Sequence, residues 1–198
     1  HAILHTAQQL EKEGFDVTYL PVDEYGKVSP EDLKKALRDD TILVSIMMAN
    51  NEVGTIEPIK EMVEIVKEHN PRTLFHTDAV QAFGNIPVDV KDLGVDLLSV
   101  SGHKIYGPKG IGALYIKKGT PVENILQGGA QEKNRRPGTE NTASIAGFGK
   151  AAEIAKEKLP EHTEHMQKLR DKLIKGVLET VPKSELTGRP GWVNGVAP

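Results

Sequence analysis

The sequence predicts an α/β protein: a doubly wound, mostly parallel sheet with helices on both faces. Short apolar runs of strand length alternate with stretches whose apolar residues recur at helical spacing. One run, Thr41 to Met48, is almost wholly apolar, as a parallel strand covered on both faces should be. Polar residues able to do chemistry follow several runs at their carboxyl ends, where open α/β sheets place their ligands.

In chain order, Ile3, Ala7 and Leu10 predict a helix over Ala2 to Glu13, stopped at Gly14. Asp16 to Val22 reads as a strand ended by the turn Asp23-Glu24-Tyr25-Gly26. Ser29 caps the next helix with Pro30 at its first position, and Leu33 and Leu37 lie on one face. After the Thr41 strand come Asn50-Asn51, then a helix from Pro58 to His69 with Ile59, Met62, Val63, Ile65 and Val66 inward. Thr73 to His76 is a strand ending in Thr-Asp, and a linker through Val88 and Leu93 leads to the strand Val95 to Val100. A glycine-rich turn from Gly107 to Gly112 starts the strand that contains Leu114. Residues 127–141 form a long polar, basic loop, a type that is often functional. From Thr142 to Val181 the pattern is helical, with Pro160 expected to kink or divide it.

Composition excludes several functions. With 198 residues, 38% hydrophobic and 27% charged, the chain can bury a core and is not expected to be disordered. A net charge of −3 gives no field for nucleic acid or for an anionic membrane. No apolar run approaches the ~18 residues of a membrane span. The absence of cysteine rules out disulfides and thiolate metal sites and agrees with a reducing, cytoplasmic setting.

The chemistry concentrates around Ser101-Gly102-His103-Lys104-Ile105-Tyr106-Gly107-Pro108-Lys109-Gly110 and His76-Thr77-Asp78-Ala79-Val80-Gln81. Lys104 falls just past a strand end, where partial desolvation would make its amine a nucleophile for a carbonyl. Asp78 emerges at the end of the neighbouring strand. A lysine that forms a Schiff base, with a carboxylate able to keep a pyridine nitrogen protonated, is what pyridoxal phosphate requires. Gln81 could reach the ring's phenolic oxygen, and Ser101 and His103 the phosphate. Each residue also has a plainer reading. Lys104 alone would be a surface lysine, Asp78 a cap for a turn at Ala79, and Asn50-Asn51 a turn. His76 reads as a packed strand residue, and Arg135-Arg136 as an anion site or a solvated loop. Glu161, His162, Glu164 and His165 read as a solvated helix face. The segment Gly107 to Gly112 fails both glycine-rich nucleotide templates and leads into a strand.

These two motifs, with Asn50-Asn51-Glu52-Val53-Gly54 and Arg135-Arg136-Pro137-Gly138-Thr139-Glu140-Asn141, resemble in order and register those of the cysteine desulfurases, pyridoxal-phosphate enzymes of the class V aminotransferase group. The resemblance runs to about Thr180. It implies the large domain of the aspartate-aminotransferase-like fold, incomplete, over residues 1–181, and the start of a truncated C-terminal small domain over 182–198. It implies Lys104 as the Schiff-base lysine and base, with His103 supporting it. It places Asp78 at the pyridine nitrogen, Gln81 at the phenolic oxygen, Ser101 and His103 at the phosphate, and Asn51 near the ring and the substrate carboxylate. Thr139 matches a threonine that reaches the phosphate of the partner subunit, so a homodimer is implied. The implied reaction converts L-cysteine to L-alanine and passes sulfur as a persulfide to an acceptor or iron-sulfur scaffold protein. Departures accompany the match. Aligned on Ala2, the family's Glu-His-x-Ala motif puts its stacking histidine before His1, and the amino-end Gly-Thr turn, the substrate-binding arginine and the nucleophilic cysteine are absent. The expectation is thus a central fragment without turnover of its own. A selenocysteine lyase or related class V aminotransferase is the enzymatic alternative, and a non-catalytic scaffold or dimerisation piece the other.

Overall fold

The computed structural model describes residues 2–188, so the small-domain start expected over 182–198 lies mostly outside the described residues. Four strands form one sheet in the order β1 (Leu43–Met47), β2 (Leu74–Asp78), β3 (Leu97–Ser101), β4 (Gly112–Ile116). β1, β2 and β3 are parallel and β4 is antiparallel to β3, the mostly parallel α/β sheet expected. Around it stand α1 (Ala2–Lys12), α2 (Pro30–Ala36), α3 (Ile59–His69), the single turn α4 (Val90–Leu93), the short α5 (Gln131–Asn134) and the long α6 (Thr142–Thr180).

Local chemistry accounts for the boundaries. Ser29 Oγ accepts the Asp32 amide ahead of Pro30, and Asp89 accepts the Lys91 and Asp92 amides to start α4. α3 turns Ile59, Met62, Val63 and Val66 inward, where they pack with Val44, Ile46, Phe75 and Leu98. Each such fully buried side chain is worth about 1.5–3 kcal/mol of transfer free energy. α3 and α4 lie in the two crossovers that join the parallel strands and touch each other on that same face.

Three expectations are corrected. Residues 16–22 form no strand; among the described residues they have only the Val22–Val28 bridge, and Arg38 holds them by bonds to the Asp16 carbonyl (3.0 Å) and Thr18 Oγ1 (2.8 Å). β1 is an edge strand covered on one face, with Leu43 46% exposed, so its apolar run does not mark two-sided burial. Pro160 does not divide α6. The helix is anchored on both sides of it, by Phe148 edge-on to Phe83 upstream and by Thr163 Oγ1 donating to the Asn85 carbonyl downstream. Those contacts offset the lost backbone bond.

Asp96, in the turn before β3, is the buried polar peg of the sheet. Its Oδ2 accepts the Phe75 amide (2.8 Å) and the Lys67 ammonium of α3 (2.5 Å), while its own amide donates to the Phe75 carbonyl. Lys117 lies 3.8 Å from its other oxygen. Removing it leaves the buried Phe75 amide without its side-chain acceptor and the part-buried Lys67 ammonium with only the Thr73 carbonyl. Asp96→Ala is expected to lower unfolding free energy by about 3 kcal/mol in urea titrations. Asp96→Asn, which keeps an acceptor for the amide, should lose less; equal losses would show that the acceptor role is immaterial.

Candidate functional site

The parallel register brings three strand ends level. Met47 pairs with Asp78 and Asp78 with Ser99, so β1 delivers Asn50-Asn51, β2 delivers Asp78, and β3 runs two residues further to Ser101. A single 3-10 turn, Gly102–Ile105, follows at once and carries His103 and Lys104. Glycine is required there. The Gly102 amide bonds the Ile111 carbonyl (2.9 Å), and a Cβ on Gly102 would lie 2.8 Å from Ile111 Cγ2. Tyr106 closes the turn with φ +62°, reversing the chain toward β4.

Asp78 is half-buried, and its Oδ1 accepts the Val80 amide at 2.9 Å, so it caps the turn 79–82 while standing at the strand end. The two readings of Asp78 therefore coexist. Gln81 is half-buried in that turn, with its carbonyl accepting Asn85 Nδ2. Ser101 Oγ lies 2.7 Å from His103 Nδ1, pairing a hydroxyl with an imidazole. His103 and Lys104 are exposed, so the desolvation expected of Lys104 is not found: the turn buries Gly102 and Ile105 and leaves the two residues between them open to solvent. Lys104 also borders a cleft of about 370 Å³ between this turn and α6, lined by Gly84, Tyr106, Ile154, His162 and His165. Glu164 on that helix pairs with Lys168 at 2.6 Å, which holds its carboxyl below the usual range.

Asn50 makes the turn, its Oδ1 accepting the Glu52 and Val53 amides, and leaves Asn51 exposed at the end of β1. Thr139 lies in the exposed loop ahead of α6, not at a strand end. Residue chemistry fits pyridoxal phosphate part by part: a carboxylate for the pyridine nitrogen, an amide for the phenolic oxygen, a hydroxyl–imidazole pair for the phosphate, and a primary amine for the aldehyde.

Two groups were missed in the sequence. Ser45 and Ser99 flank His76 across the three parallel strands, at 2.8 Å from Nδ1 and 2.9 Å from Nε2. The signal was available: each is a polar residue inside a strand-length apolar run. Glu57 was also passed over. It is buried behind the Asn51 loop, its Oε2 accepting the Val28 amide at 3.0 Å and its own amide donating to the Met48 carbonyl.

Burial pushes the Glu57 carboxyl up to about 7, although the Val28 amide draws it down. Because the folded value lies above the ordinary 4.5, protonation favours the fold. The contribution is complete below about 4.5 and is lost as pH rises through about 7. Thermal midpoints of the parent should therefore decline across that window more steeply than those of Glu57→Gln; parallel slopes would assign the decline to other groups.

The chain matches the family model described as Aminotransferase class-V over residues 1–191. It is 61% identical over 188 residues to a protein named cysteine desulfurase IscS of Clostridium botulinum (strain Hall), covering 95% of this chain and 47% of that protein. A solved structure titled NifS-like protein superposes with TM-score 0.93 at 46% identity, over 98% of this chain and 52% of that one. Another, titled SspA in complex with cysteine, gives TM-score 0.73 at 44% identity over 76% of this chain and 44% of that one. The chain spans about half the length of the curated relatives it matches.

Proposed function

This chain belongs to the class V aminotransferase family, and from that premise we propose that it forms the pyridoxal-phosphate-binding part of a cysteine desulfurase. One observation carries the reading: a single parallel register brings Asp78, Ser101-His103-Lys104 and Asn51 to the same end of the sheet, in the donor set this cofactor needs. The relative solved with cysteine supports L-cysteine as the substrate.

When bound, pyridoxal phosphate supplies an electron sink for carbanion chemistry at an amino acid's α carbon. Asp78 would hold the proton on the pyridine nitrogen, Gln81 would bond the phenolic oxygen, Ser101 and His103 would bind the phosphate, and Asn51 would orient the ring and the substrate carboxylate. The Lys104 amine would hold the cofactor's aldehyde and, freed from it, would take the proton from the substrate's α carbon. A thiolate then attacks the substrate sulfur. The new S–S bond forms as the C–S bond breaks, its electrons stay with carbon, and protonation gives L-alanine. The sequence contains no cysteine, so that thiolate lies outside it. Thr139 is assigned to the phosphate of a second copy in a cytoplasmic homodimer, and an acceptor or iron-sulfur scaffold protein takes the sulfur onward. Among the described residues, no helix is long and apolar enough to cross a membrane.

Borohydride reduction of the chain with pyridoxal phosphate, followed by peptide mass analysis, should place one pyridoxyl group on Lys104. Lys104→Ala should lose that specific adduct. Labelling spread evenly over surface lysines would count against the site. With L-cysteine and cofactor, the 198-residue chain should yield no alanine or sulfide above a cofactor-only blank. Turnover above the blank would refute the need for an external thiolate.

A further inference from the structure

One buried group on the Asp78 face of the sheet has no role in the proposed reaction. His76 is two residues before Asp78 in β2, on the same face, and only 8% exposed. Ser45, bound to its Nδ1, is its direct cross-strand partner on β1; Ser99, bound to its Nε2, is the partner of Asp78 on β3. Burial lowers the ring's affinity for a second proton, against the pull of Asp78 in the opposite sense. A neutral imidazole offers one donor and one acceptor, so two hydroxyls satisfy it: one serine accepts and the other donates.

The β2–β3 ladder comprises three residue pairs, His76 with Leu97 to Asp78 with Ser99. Asp96 pegs the lower end of this short ladder to Phe75, and at the upper end the Ala79 amide bonds the Ser99 carbonyl; the side-chain tie from His76 to Ser99 adds a diagonal restraint between the two ends. We infer that the Ser45–His76–Ser99 chain is a positioning device for the cofactor site, setting where the Asp78 carboxylate stands relative to Ser101 and Lys104. A cationic His76 would compete for the carboxylate. A neutral one spans the three strands and leaves that charge for the pyridine nitrogen. An apolar residue would fill the space without tying the strands. The inference rests on the pyridoxal-phosphate reading above.

The test compares the 198-residue chain with His76→Phe, His76→Gln and a control, Val44→Ala, which cuts a buried side chain on the opposite face. Pyridoxal phosphate affinity is read from the visible absorbance of the bound cofactor, and stability from thermal midpoints. His76→Phe should weaken binding about tenfold. His76→Gln, whose amide keeps a donor and an acceptor, should come back to within about threefold of the parent. Val44→Ala should lower the midpoint while leaving affinity unchanged, which separates positioning from general stability. Nitrogen-15 spectra should show His76 as one neutral tautomer at neutral pH. A His76→Phe chain that binds as tightly as the parent, or an imidazolium at His76, overturns the inference and leaves the cofactor reading standing. A folded parent that takes no cofactor overturns both.

Discussion

Asp96 fixes the level of the strand on which the candidate site is built. It sits between β2 and β3, reaches across to α3, and exchanges hydrogen bonds in both directions with the backbone of Phe75. A buried carboxylate with these partners tolerates little displacement, because a shift breaks its bond to the buried Phe75 amide and its ion pair with Lys67. From that peg β3 runs upward to Ser101 and the turn carrying Lys104, while β2 runs upward to Asp78. The separation of the two chemical groups follows from strand pairing, not from the loops beyond.

The face opposite α3 is built for different work. The apolar face takes Val44, Ile46, Phe75 and Leu98 into the core. The other face presents Ser45, His76, Asp78, Ser99 and Ser101 in the same alternation. Two serine–histidine pairs lie on it or at its end: His76 between its two serines, and His103 against Ser101. Charge is confined to Asp78, with His76 kept neutral by burial beside it. Glu57 treats its own loop the same way, favouring the uncharged form where water is scarce.

The sheet strands and α3 were legible because each is short, strongly patterned and bounded by turn or capping chemistry. The Ser29–Pro30 start and the inward Ile59, Met62, Val63 and Val66 were read directly. Residues 16–22 were misread because their extended conformation depends on the side chain of Arg38, twenty residues away, and periodicity does not see such a tie. Pro160 misled for a similar reason, since Phe83 and Asn85 anchor α6 on either side of it. Of the site, Asp78, Ser101 and Lys104 were located from their place at strand ends. The serines flanking His76 escaped because their meaning lies in register between distant strands, and Lys104 is more exposed than its surroundings in sequence suggested.

The central claim, that the level strand ends form a pyridoxal-phosphate site, is tested most directly by titrating the isotopically labelled chain with the cofactor and following backbone amide shifts. The largest changes should fall on residues 78–81 and 101–104, with smaller ones at 50–51. Changes confined to the cleft of Tyr106, His162 and His165, or none in a folded chain, would contradict it.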